Sequence, residues 1–118
     1  MDSQIFTAQI WHSGRPMTLP YDILIHNLEM VPQHWAFQLP TEDAMFPLRL
    51  NILTRGIKDG WLHFDVNLGN MYGEMLTPNL PGMVYIERWS VPSLVALTSQ
   101  SLEFPGYFAL TMQAKAEA

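Results

Sequence analysis

The sequence predicts a mainly β fold, an antiparallel β-sandwich or partly open barrel of about six or seven strands with one short helix. Three observations predict it. Short stretches alternate apolar and polar residues with period two, as half-buried strands do. Nine prolines and seven glycines divide the chain into such stretches, and these residues punctuate helices and strands alike. No internal repeat or heptad series runs through the chain.

The elements follow in order. Gln4 to His12 sets Phe6, Ala8 and Ile10 against Thr7, Gln9 and Trp11, and ends at the turn-like Ser13-Gly14-Arg15-Pro16. Tyr21 to Val31 holds Ile23, Leu24, Ile25, Leu28 and Met30, and Pro32 breaks it. Gln33 to Leu39 alternates Trp35, Phe37 and Leu39 with His34, Ala36 and Gln38, and stops at Pro40. Thr41-Glu42-Asp43-Ala44 reads as an acidic loop or a single helical turn.

The best-defined unit is a hairpin. Phe46 to Arg55 and Trp61 to Leu68 flank Gly56-Ile57-Lys58-Asp59-Gly60, a loop with glycine at both ends. Pairing Arg55 with Trp61 places Thr54 opposite Leu62, Ile52 opposite Phe64, Leu50 opposite Val66 and Leu48 opposite Leu68. Leu48, Leu50, Ile52, Leu62, Phe64 and Val66 are therefore expected to share one core. The other face carries Arg49, Asn51, Arg55, Trp61, His63, Asp65 and Asn67, with Arg49 diagonal to Asp65.

Beyond the hairpin, Gly69 to Gly82 reads as a long irregular loop and Met83 to Trp89 as a strand. Ser90 to Phe104 reads as a helix: Ser90 caps it, Pro92 sits in its first turn, and Leu94, Val95, Thr98 and Leu102 share a face. Gly106 to Met112 is the closing strand. One domain is expected over residues 1–113, with residues 114–118 as a frayed tail.

Composition narrows the function classes. Asp, Glu, Lys and Arg make up 14% of the 118 residues, against about 25% in ordinary soluble domains. The 48% hydrophobic content is ordinary, so the surface rather than the core is unusual. A weakly charged surface resists association poorly, and the expectation is a homo-oligomer or a chain paired with a protein partner. The net charge of −5, with six scattered basic residues, argues against a nucleic-acid partner, which needs several phosphate contacts from one patch. No run approaches the ~18 apolar residues of a membrane span. Met1-Asp2-Ser3-Gln4 has no basic segment before an apolar run, so the expected location is cytoplasmic, or a virion assembled after cytoplasmic synthesis. Cysteine is absent, which excludes disulfides, thiolate metal sites and cysteine nucleophiles.

Chemistry-bearing motifs are few. His12, His26, His34 and His63 lie on separate segments without ligand spacing, so no metal and no cofactor is expected. No Gly-x-Ser-x-Gly elbow and no phosphate-binding glycine loop occurs. Two contact surfaces stand out. One is the polar hairpin face, where Arg49, Trp61, His63 and Asp65 join an aromatic platform to a cation and a proton carrier; its plainer reading is the solvated side of a sheet. The other is the Gly69–Gly82 loop with Met71, Tyr72, Met75 and Leu76. These adaptable apolar side chains either dock on a partner, line a pocket, or cover their own core. The functional expectation is a non-catalytic protein–protein interaction or assembly module: a subunit, virion component, inhibitor or immunity-type protein. The alternative is a small apolar-ligand-binding β protein, and behind it an enzyme with a dispersed site.

Overall fold

The computed structural model describes residues 3–41, 47–87 and 92–115. Nine strands lie among them: β1 (Ser3–His12), β2 (Arg15–Pro16), β3 (Tyr21–His26), β4 (Gln33–Leu39), β5 (Leu48–Lys58), β6 (Trp61–Asn70), β7 (Leu80–Tyr85), β8 (Ser93–Thr98) and β9 (Tyr107–Ala114). They form two antiparallel sheets. In the first, β1 lies between β9 and the consecutive strands β2 and β3, and β8 pairs with β9. The second runs β4-β5-β6-β7.

The chain changes sheet twice, after β3 and after β7. At those seams β3 lies against β4 and β7 against β8. Every strand pairing but that of β9 with β1 joins strands near one another in sequence.

Period-two alternation places the core. Phe6, Ala8 and Ile10 of β1, Leu48, Leu50 and Ile52 of β5, Leu62, Phe64 and Val66 of β6, and Phe108, Leu110 and Met112 of β9 are all buried in one cluster drawn from both sheets. The six hairpin residues expected to share a core do so. At β7 the space is full: a Cβ on Gly82 would fall 2.7 Å from Phe64 and 2.8 Å from Val95. Glycine is required there by space, not by its backbone angles.

Several expectations are corrected. The helix over Ser90 to Phe104 is not formed: Ser93–Thr98 is strand β8, paired with β9, and no helix occurs among the described residues. Leu94 and Val95 consequently point to opposite sides, the first exposed and the second buried. The hairpin register also differs. Lys58 pairs with Trp61, so the loop shrinks to Asp59 and Gly60, both at positive φ (53° and 83°), as a tight two-residue turn demands. A bulge between Thr54 and Gly56 takes up the odd residue, and Leu50 then faces Leu68 and Ile52 faces Val66. The slide of two residues keeps every inward side chain inward, which is why the core survived the register error.

Smaller differences follow from turn chemistry. The second strand ends at His26, before Asn27 at φ 52° and a turn closed by the Met30 N–H donating to the Asn27 carbonyl at 2.8 Å. β6 and β7 absorb both ends of the expected Gly69–Gly82 loop, and β9 continues through Ala114. The expected acidic turn at Thr41–Ala44 lies, beyond Thr41, outside the described residues, as do Trp89 and Ser90.

Candidate functional site

The end of the molecule where β6 gives way to β7 and β8 to β9 carries two loops with unusual side chains. Asn70, only 7% exposed, organises the first. Its side-chain oxygen accepts the backbone N–H groups of Tyr72 at 2.9 Å and Glu74 at 3.0 Å, and its own N–H donates to the Glu74 carbonyl at 3.0 Å. Thr77, fully buried, accepts the Leu68 N–H at 2.9 Å, while the Leu76 N–H returns to the Leu68 carbonyl at 2.7 Å. Asparagine suits such a position because its short amide mimics a backbone turn.

The second loop, residues 99–106, is held likewise. The Ser101 N–H donates to the Ser99 hydroxyl at 3.0 Å, and the Glu103 N–H to the Ser101 hydroxyl at 3.2 Å. The Gln100 N–H donates to the Leu76 carbonyl at 2.7 Å and ties the two loops together.

Between the loops lies a cleft of about 430 Å³ lined by Asn70, Tyr72, Glu74, Met75, Leu76, Gln100, Ser101, Leu102 and Glu103. Leu76 forms its floor at 3% exposure. Tyr72, Met75, Met71 and Leu102 stand in solvent at 78, 50, 58 and 99%. Loops fixed by their own hydrogen bonds, yet presenting four large apolar side chains, have the composition of a contact surface. Glu74 and Glu103 give the cleft two carboxylates and no lining cation.

The other expected constellation is placed on the outer face of the second sheet. Trp61, His63 and Asp65 follow one another along β6, and Trp61 meets Tyr85 edge-on with centroids 4.9 Å apart. Arg49 is not with them: it pairs with Gly69 at the far end of β5, and the cation beside Asp65 is Arg55, whose Nε donates to Oδ2 at 2.6 Å. The register slide explains the exchange. Further along the face, Asn51 donates to Asn67 at 2.9 Å and Asn67 to Asn79 at 2.5 Å, an amide ladder across the strands. Asp65 lowers the free energy of the Arg55 guanidinium by a direct hydrogen bond, raising its pKa from the usual value. Arg55 with Asp65, and Asn51, Asn67 and Asn79 in their ladder, are satisfied polar groups of this face.

The histidines do not gather. His12 packs on Phe108 and its Nε2 donates to the Pro105 carbonyl, 2.9 Å away, while His26 lies beside Trp35. Among the described residues no three His, Asp or Glu side chains come together as a metal set.

Sequence reasoning missed the second loop. Gln100 to Glu103 fall at the end of the expected helix, although the Ser99/Ser101 pair and Pro105-Gly106 are turn signals. It missed also the outer face of the first sheet, where Trp11, Leu94, Ala96, Tyr107 and Ala109 surround an apolar depression. No family model, no curated protein and no solved structure matches this chain.

Proposed function

We propose that the protein is a non-catalytic interaction or assembly module, acting in the cytoplasm or in a particle assembled there, that holds a protein partner at the two-loop tip. The observation that carries the reading is the tip itself: Met71, Tyr72, Met75 and Leu102 are exposed on loops that Asn70, Thr77, Ser99 and Ser101 fix in place. Ordering before contact lowers the entropic cost of binding. The carboxylates of Glu74 and Glu103 favour a partner whose apolar anchor is flanked by lysine or arginine. A subunit, an inhibitor, an immunity-type protein and a virion component all use such a surface.

An apolar ligand inside a barrel has less support. Read as a flattened, partly open barrel or sandwich, the fold has its interior filled by Phe6, Phe64, Phe108 and the aliphatic residues around them.

The test is site-specific photo-crosslinking. A photoreactive residue at Tyr72 or Leu102 is expected to trap one discrete protein, and the same residue at His34, on the outer face of β4, is not. Met75→Glu with Leu102→Glu should weaken that contact at least about tenfold, since a charge would lose water without gaining a partner. Equal labelling at all three positions would refute the reading.

A further inference from the structure

The outward positions of the four longer strands of the first sheet are Ile5, Thr7, Gln9 and Trp11 on β1, Asp22, Leu24 and His26 on β3, Leu94, Ala96 and Thr98 on β8, and Tyr107, Ala109, Thr111 and Gln113 on β9, while the short β2 sets Pro16 beside Trp11 and leaves Arg15 exposed at the sheet's end. Asp22 alone among the outward residues of the four longer strands is a carboxylate or a lysine or arginine. It lies at the β3 margin, where Lys115 Nζ is 2.5 Å away and the Thr7 hydroxyl donates to it at 3.0 Å. Between Arg15 at one end and the Asp22–Lys115 pair at the β3 margin, the middle of this face carries no charge.

That face has relief. Ala96, Ala109 and Trp11 form one row across β8, β9 and β1. The two small side chains leave a shallow depression of about 380 Å³. Trp11 is fixed beside it by its indole N–H, which donates to the Thr111 hydroxyl at 3.0 Å. On either side of the alanine row stand Leu94, 68% exposed, and Tyr107, 65% exposed.

We infer that this face pairs with the same face of a second copy of the chain, in a two-fold dimer where Leu94 and Tyr107 of each copy seat in the Ala96–Ala109 depression of the other. Two features favour a second copy over an unrelated protein. Knob and hole sit on one surface, as isologous pairing requires. A two-fold axis sets residues near it against their own copies, so any charge there would meet its like, and here there is none; a face built for a charged partner has no such need. The size is within reach only if side-chain relief enlarges the flat area and all four strands take part. Four strand columns about 4.8 Å apart, with strands averaging about 26 Å, give roughly 500 Å² of flat footprint before side-chain relief. A stable interface needs about 800 Å² of accessible surface per partner, so nearly the whole face is used. None of its residues lines the tip cleft, and the dimer stands or falls separately from the partner proposed there.

Light scattering after size exclusion, on the full chain across the micromolar range, tests it. The expected mass is twice the 13.5 kDa of one chain. Leu94→Glu and Tyr107→Glu should each raise the dimer dissociation constant at least about tenfold. Both sites are exposed in the protomer, so the variants should keep the circular dichroism of the parent. Met75→Glu should stay dimeric. A parent chain that is monomeric throughout the range overturns the inference. So does a dimer that ignores both face substitutions, and so does one that Met75→Glu dissolves instead.

Discussion

The outer faces of the two sheets are built from the same strand periodicity and differ in almost everything else. On the second sheet several outward side chains partner one another: Arg55 pairs with Asp65, Asn51, Asn67 and Asn79 form a ladder, and Trp61 packs on Tyr85. On the first sheet the outward side chains around the alanine row are small, apolar or neutral, and Leu94 and Tyr107 are largely exposed. Inward, both sheets contribute to one core. The contrast teaches that a low overall charge says little until it is mapped, because folding can leave the middle of one face uncharged. It also gives the substitutions below an order: the shared interior costs most, the polar face less, and the apolar face least to the folded protomer.

The interior is where the largest effect is expected. Phe64 is 1% exposed and its ring lies against Gly82 of β7. Phe64→Ala should cost about 3–5 kcal/mol, measured by urea unfolding. Gly82→Ala pushes a methyl to 2.7 Å from the Phe64 ring and 2.8 Å from Val95, and should cost about 1–3 kcal/mol by overpacking. The two should not add. In the double variant the new methyl has the room the ring vacated, so the loss should fall short of the sum by more than the roughly 0.5 kcal/mol expected of independent sites. Strict additivity would mean that Gly82 is needed for another reason.

Next comes the polar face. Asn67 links Asn51 to Asn79, and Asn67→Ala removes both bonds for about 1–2 kcal/mol. Leu94→Glu on the other face should leave protomer stability within roughly 0.5 kcal/mol while changing association. If the costs were reversed, the first face would be held by contacts within the protomer and would not be free for a second copy.

This same asymmetry decided what could be read from the sequence. Strands with an apolar inner and a polar outer face, such as β4 and β6, announced themselves by alternation. β8 did not: Leu94-Val95-Ala96-Leu97 is apolar on both faces, and a short continuous apolar run does not distinguish a strand from a helix segment. Ser90 and Pro92 then suggested a helix start. The strand was hidden by the property that makes its outer face a contact surface. The hairpin core was legible because an error of two residues returns each side chain to its own side. The partner of Asp65 was not, because pairing across strands depends on the actual register, set here by Asp59-Gly60 and the bulge at Gly56. The tip was half legible. Met71, Tyr72, Met75 and Leu76 were legible as apolar loop residues but not as exposed or covered, and Leu76 is buried, whereas Leu102 needed the second loop to be recognised as one.

The smallest effect belongs to the single carboxylate on the first face. A hydrogen bond from Lys115, then one from the Thr7 hydroxyl, hold the Asp22 carboxyl below its usual value of 3.8. A carboxyl whose pKa is lower folded than unfolded contributes stability above the unfolded pKa and loses it as pH falls through the folded one. The pair is exposed, so water and salt screen it. Asp22→Asn should therefore shift the melting temperature downward only slightly at neutral pH and low salt. That difference should shrink in high salt and disappear in acid, once the parent's carboxyl is itself protonated. Association should change little, because Asp22 and the Lys115 left without it lie at the margin of the face, away from the alanine row. A melting difference that grows in acid would show the carboxyl held above its usual value and its pairing with Lys115 absent. Dimer loss on Asp22→Asn would place the two-fold contact over β3 rather than over the alanine row.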